Sequence, residues 1–121
     1  MRGLLVAVVL TVAFGGGALA QTMRFADSYV VSGKNPSGSS YRGTATVEVA
    51  SDTTVKITWK TGQTYFGFGM RWDDTFAVAY EGNGLKGVMI YRHDAASGVF
   101  TGKWTVLGRD GVGEETLTPR R

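Results

Sequence analysis

Apolar and polar side chains alternate with a period of two along most of this chain, and turn residues interrupt the alternation at short intervals. In Tyr41–Ala50 the odd positions Tyr41, Ala45, Val47 and Val49 are apolar or aromatic, whereas Arg42, Thr44, Thr46 and Glu48 are polar. Val55, Ile57 and Trp59 alternate with Lys56, Thr58 and Lys60, and Phe100, Gly102, Trp104 and Val106 with Thr101, Lys103 and Thr105. A period of two is the signature of a strand with one buried face. No stretch of helical length carries a 3.6-residue apolar stripe. Turn chemistry falls at Gly33–Ser40, Ser51-Asp52, Thr61-Gly62, Asp73-Asp74, Gly82-Asn83-Gly84, His93–Gly98 and Gly108–Gly113. These breaks predict eight strands, near 25–32, 41–50, 53–60, 63–71, 75–81, 86–92, 98–107 and 114–118. The short connections suit hairpins. The expected fold is therefore all-β, a small antiparallel up-and-down β-barrel of about eight strands, whose closure removes exposed edges. A sandwich is the alternative, but its crossovers need longer connections.

An aromatic-x-Gly motif recurs at Tyr41-Arg-Gly43, Tyr65-Phe-Gly67, Tyr80-Glu-Gly82 and Phe100-Thr-Gly102. Glycine within a strand permits tight coiling, and a nearby aromatic can cover the gap it leaves. Trp59, Trp104, Phe66, Phe68 and Phe100 are the expected filling, and a packed interior is favoured over a cavity.

The N-terminus reads differently. Met1-Arg2 is a positive start, Leu4–Phe14 is apolar apart from Thr11, Gly15-Gly16-Gly17 breaks the run, and Ala18-Leu19-Ala20 is a small-x-small cleavage site. This pattern predicts a signal peptide over 1–20 and a single domain over 21–121. The apolar run is shorter than the ~20 residues of a membrane span. The chain has no cysteine, so neither a lipid anchor nor a disulfide is expected. The product is expected to be soluble in the periplasm or outside the cell. Loss of Arg2 lowers the formal charge from +3 to +2, with twelve Lys and Arg against ten Asp and Glu. That balance gives no electrostatic footprint for nucleic acid.

Catalytic chemistry is poorly supplied. The single histidine, His93, precedes Asp94, but no nucleophile-elbow pattern surrounds Ser97, and a solvated loop histidine is favoured. Asp73-Asp74 reads as a turn, and Glu114-Glu115 as the opening of the last strand with one carboxylate outward and one toward the barrel mouth. Arg92, placed in phase with Val88 and Ile90, is expected inside, where it could clasp Glu115. No metal-ligand spacing is present, and no cofactor is expected. Gly82-Asn-Gly84-Leu-Lys-Gly87 matches G-x-G-x-x-G in letters, but a strand follows where dinucleotide binding needs a helix.

Two strands are apolar on both faces: Tyr65–Met70, and Gly87–Tyr91 with Val88/Ile90 against Met89/Tyr91. Such strands are expected to be covered on both sides. Trp72 flanks a turn, where tryptophan is often exposed and available for contact. Tyr65, Trp72, Tyr80, Met89 and Tyr91 are accordingly the expected outer binding face.

One ordered series spans nearly all of residues 21–121: Tyr29-Val-Val-x-Gly33, Asn35-Pro36-x-Gly38-x-x-Tyr41-x-Gly43, Ile57-Thr58-Trp59, Gly67-x-Gly69, Val78-Ala79-Tyr80, Tyr91, Gly102-x-Trp104 and Gly113-x-Glu115. It resembles a group of small exported bacterial β-proteins, mostly uncharacterised, some labelled fibronectin-binding. The resemblance implies interaction at a surface. Gly102-Lys-Trp104 also matches the G-x-W letters of calycin-like barrels. There the motif lies in the first strand and here in the seventh, so that likeness is architectural. The leading expectation is a non-enzymatic exported protein, contacting a protein or envelope component through its outer aromatic face and loops. The alternative is a carrier of a small apolar ligand inside the barrel.

Overall fold

A computed structural model describes residues 23–120. The expected signal peptide lies outside them. Eight antiparallel strands run in chain order: β1 (Ser28–Lys34), β2 (Ser40–Val49), β3 (Thr54–Lys60), β4 (Thr64–Trp72), β5 (Thr75–Gly82), β6 (Leu85–His93), β7 (Phe100–Val106) and β8 (Gly113–Pro119). Each pairs with the next, and β8 pairs back onto β1, Tyr29 opposite Pro119 and Lys34 opposite Glu114. The sheet is thus a closed up-and-down barrel. The turn between β5 and β6 shows how local chemistry sets this path. Asn83 (φ 53°) and Gly84 (φ 75°) form a two-residue loop with both central residues left-handed, the geometry that matches strand twist in a hairpin.

Side chains that face inward share one phase on each strand. They include Tyr29 and Val31 on β1, Ala45 on β2, Val55, Ile57 and Trp59 on β3, Phe76 and Val78 on β5, Met89 and Tyr91 on β6, Phe100 on β7 and Leu117 on β8. These rings are larger than eight short strands can enclose unless the opposite wall gives way, and glycine supplies the space. Gly33 stands opposite Tyr41, Gly87 opposite Tyr80, Gly102 opposite Tyr91 and Gly113 opposite Trp104. At each of these glycines a Cβ would overlap the ring of its cross-strand partner. Of the glycines in the aromatic-x-Gly motif, Gly67, Gly82 and Gly102 lie against rings of neighbouring strands, those of Trp59, Tyr65 and Tyr91, whereas Gly43 lies against the Lys60 carbonyl.

The two ends differ. At one, the segment before β1 plugs the barrel. Phe25 stacks on Phe100 and meets Phe76 edge-on, each with ring centroids 5.1 Å apart. Arg71 closes over this plug, donating from its Nε to the Asp52 carbonyl (2.8 Å) and from an Nη to the Met23 carbonyl (3.0 Å). Its guanidinium lies 5.8 Å from the centre of the Phe25 ring. The other end, ringed by the β1–β2, β3–β4, β5–β6 and β7–β8 loops, stays open.

Three expectations are corrected by the register. Phe66 and Phe68 point outward, 58% and 66% exposed, because the inward phase of β4 belongs to Tyr65, Gly67, Gly69 and Arg71. Val88 and Ile90 also face outward, and Arg92 with them. Arg92 pairs with Asp74 across the surface at 3.4 Å, so it makes no clasp with Glu115. The interior is packed only toward the plugged end.

The glycine–aromatic fit is testable. Gly87→Ala places a methyl group against the Thr105 carbonyl and the Tyr80 hydroxyl. Overpacking of this kind costs about 1–3 kcal/mol. The urea midpoint should fall accordingly, while Thr101→Ala on the outer face of β7 should stay within about 0.5 kcal/mol of the parent.

Candidate functional site

The open end leads into a cavity of about 500 Å³. Its wall is built from inward positions of six strands: Tyr41 (β2), Trp59 (β3), Tyr65 (β4), Tyr80 (β5), Met89 (β6) and Trp104 (β7), with Glu115 (β8) also in the lining. The rings meet edge to face: Tyr41 with Trp104 at 6.2 Å, Trp59 with Tyr80 at 5.9 Å and Tyr65 with Tyr80 at 6.2 Å between centroids. This places negative ring faces against positive edges. The rim carries Asn35, Pro36, Ser37, Thr61, Leu85, Arg109, Asp110 and Gly111.

Glu115 marks the floor. It is 5% exposed and is the one buried charged residue among the described residues. Three donors converge on it. Tyr41 donates its hydroxyl hydrogen to Oε1 at 2.8 Å. Trp59 donates from Nε1 to Oε2 at 2.9 Å, and Tyr91 donates its hydroxyl hydrogen to the same oxygen. Burial pushes the Glu115 carboxyl above its ordinary range, against the three hydrogen bonds, which favour the carboxylate. Burial, reinforced by the charge of Glu115, also pushes up the Tyr91 and Tyr41 hydroxyls. Tyr80 is pushed up to about 12, by burial first and then by Tyr65 and Glu115. At neutral pH these tyrosines are protonated donors. Tyr80 spends its hydrogen on the Thr105 carbonyl at 3.1 Å. The buried Trp104 indole N–H has no hydrogen-bond partner among the described residues.

The structure gathers the residues expected on an outer face quite differently. Tyr65, Tyr80 and Met89 line the cavity, and Tyr91 is wholly buried beneath it. Trp72 alone of the five faces outward, 67% exposed. The outer surface of β4–β6 is nevertheless apolar, through Phe66, Phe68, Met70, Trp72, Val88 and Ile90. The two-sided strands were thus recognised with their faces exchanged, as a one-residue slip in phase does. Glu114 and Glu115 split as expected, Glu114 turning outward to Lys103 at 2.7 Å. The roles of Tyr41, Trp59 and Glu115 in the cavity were missed. The i,i+2 spacing of Tyr41-x-Gly43 carries the signal, since it puts ring and glycine on one face.

His93 is not a solvated loop residue. It ends β6 at the plugged end, its ring 4.6 Å from that of Phe100, and burial lowers its pKa despite Asp94 and Asp74 nearby. Asp94 accepts from both the backbone N–H and the hydroxyl of Ser97. Among the described residues no group of three or more His, Cys, Asp or Glu side chains is arranged to hold a metal ion.

No protein-family model matches the sequence, and no curated protein matches it. Solved structures that are similar to it are β-barrels. A redesigned barrel matches with a TM-score of 0.71 at 17% identity, over 80% of this chain and 92% of its own. The redesigned barrel mFAP1, solved bound to DFHBI, matches with a TM-score of 0.68 at 21% identity, over 82% of this chain and 96% of its own. A fluorescence-activating barrel designed de novo matches at 0.64 with 13% identity, over 84% of this chain and 99% of its own. At such identities the shared property is the fold, and the chain is an eight-stranded antiparallel β-barrel of that architecture.

Glu115 sets a pH dependence of stability. Its folded pKa lies above the unfolded value, so the folded state holds the proton more tightly. The stabilisation is full below about pH 4.5 and is lost as pH rises through the raised value, with a slope of at most about 1.4 kcal/mol per pH unit. Denaturant titrations of Glu115→Gln should lack this fall while the parent shows it. Glu115→Ala, which strands three donors, should be less stable than Glu115→Gln by about 1–3 kcal/mol.

Proposed function

We propose that this protein is a non-enzymatic exported binding protein that holds a small, largely apolar ligand in the open end of its barrel. One observation carries the reading: an aromatic-walled cavity of about 500 Å³ with a single buried polar cluster at its floor. Small-molecule sites usually measure roughly 300–1,000 Å³, with apolar walls and few polar groups. Eight strands enclose enough interior for one small ligand when side chains do not fill it. Glycine opposite Tyr41, Tyr80 and Trp104 keeps those rings against the wall, which leaves the middle free. That mFAP1 was solved bound to DFHBI supports the view that a barrel of this architecture can hold a small ligand. The reading reverses the order of the two sequence-based expectations, because most of the residues assigned to the outer face line the inside.

Trp59 and Trp104 report on occupancy. Titration with 2-naphthylmethanol, a neutral aromatic probe, should change tryptophan emission saturably with one site per chain. Tyr80→Ala should weaken binding about tenfold or more by removing part of the wall. Emission unchanged by this probe and by its amine analogue 2-naphthylmethylamine, up to the solubility of each, would reject the cavity as a ligand site.

A second reading rests on the outer face, where Phe66, Phe68, Met70 and Trp72 stand beside Val88 and Ile90. The occupant that fits is an anionic lipid surface of the cell envelope. Lys56 lies directly across from Phe68, and Lys60 faces outward on the same strand, so cationic groups border the apolar area. Aromatic rings and lysines together suit a membrane interface. The protein should sediment with phosphatidylglycerol vesicles and not with phosphatidylcholine vesicles, and Phe68→Asp with Ile90→Asp should abolish this. Concentration-dependent dimerisation, or retention on fibronectin without vesicle binding, would assign the face to a protein instead.

A further inference from the structure

Resting on the cavity reading, we infer that the ligand is a cation, a protonated amine whose ammonium group sits against Glu115 within the surrounding aromatic faces. Three independent features of the cavity lead there.

The first is charge balance. Glu115 has no ion-pair partner: the salt bridges among the described residues join Arg92 to Asp74 and Lys103 to Glu114 on the surface. The cationic side chain of inward phase on β4, Arg71, is at the plugged end and held by two backbone carbonyls. His93 is at that end too. The hydroxyl and indole groups that meet Glu115 are neutral donors. They soften the burial of its charge without cancelling it, and a buried charge is normally paired. The rim discriminates little, since Arg109 and Asp110 are neighbours of opposite sign.

The second is the acceptor capacity of the carboxylate. Each carboxylate oxygen offers about two lone-pair sites. Oε2 is saturated by Trp59 and Tyr91. Oε1 holds Tyr41 alone, which leaves it a second acceptor site. Glu115 is itself part of the cavity lining, together with its donors Tyr41 at Oε1 and Trp59 at Oε2, and Oε1 is the oxygen with an acceptor site left.

The third is the wall. Tyr41, Trp59, Tyr65, Tyr80 and Trp104 present ring faces and edges around one space. Electron-rich ring faces attract cations and recognise ammonium groups. They offer nothing comparable to an anion, and the hydroxyls of Tyr41 and Tyr80 are already committed as donors.

The test compares two isosteres, 2-naphthylmethylamine and 2-naphthylmethanol, by calorimetry at pH 7.5. The amine should bind the parent protein at least tenfold more tightly than the alcohol. In Glu115→Gln that preference should collapse to within about twofold. An alcohol that binds the parent as tightly as the amine would overturn the inference and leave the cavity reading standing. Binding of neither compound would overturn both. If Glu115→Gln does not fold, the parent alone decides. Its affinity for the amine should fall as pH is lowered and Glu115 takes up a proton, while its affinity for the alcohol stays level, and equal pH profiles would refute the inference.

Discussion

A ring packed against a glycine on the neighbouring strand is the contact on which the rest of this barrel depends. Tyr41 over Gly33, Tyr80 over Gly87, Tyr91 over Gly102 and Trp104 over Gly113 repeat it along β1–β2, β5–β6, β6–β7 and β7–β8. A wall of eight strands has little room for large aromatic groups. If every inward position carried a side chain, these rings would be forced into the centre and the interior would be full. With glycine opposite, each ring folds back against the backbone and the centre is spared. The same pairing thus closes the barrel tightly and leaves it hollow at one end. Glycine costs conformational entropy in a strand, and the area of ring buried against the backbone offsets that cost.

Glu115 divides the interior into two parts of different character. Toward the plugged end the contents are Phe25, Phe76, Phe100, Tyr29 and aliphatic side chains in dense contact. Toward the open end the rings of Tyr41, Tyr65, Tyr80 and Trp104 line the cavity and are only half-buried. A carboxylate among neutral donors is a poor source of stability, since removal from water opposes the gain from its hydrogen bonds. Its three donors come from β2, β3 and β6, however, so the cluster ties distant parts of the wall to one point on β8. That arrangement fixes the positions of Tyr41 and Trp59 as cavity walls. The stability of the plugged end compensates for what the open end gives up.

The meander, its eight strands and their closure were legible in the sequence, because turn chemistry such as Asn83-Gly84 and period-two alternation are both local. The faces of β4 and β6 were not legible by hydrophobicity. On β4 the outward phase carries Phe66, Phe68 and Met70, whereas the inward phase carries Gly67 and Gly69, so the buried face is the less apolar one. On β6 both faces are apolar, and Val88 and Ile90 outweigh neither Met89 nor Tyr91. The information lay in steric fit: a ring and a glycine two residues apart share a face, and only the interior needs glycine for a close approach. Tyr41, Tyr65, Tyr80 and Phe100 each precede such a glycine, and all four face inward. The polar cluster was half legible. The alternation of Glu114 and Glu115 was visible, but Tyr41, Trp59 and Tyr91 lie 74, 56 and 24 residues from Glu115, and only closure of the barrel brings them together.

The two surfaces left over, one concave and one convex, make opposite demands on the same strands. β4–β6 place Tyr65, Tyr80 and Met89 inside and Phe68, Ile90 and Trp72 outside, so this stretch of wall is apolar on both sides. A strand that merely closed a barrel would need only its inner face, and polar residues would cover the outer one, as Lys56 and Lys60 do on β3. The double commitment of β4–β6 is therefore unexplained by folding, and it sits in a part of the wall that also lines the aromatic cavity. A ligand entering the open end passes the β5–β6 loop of this same wall, beside Leu85.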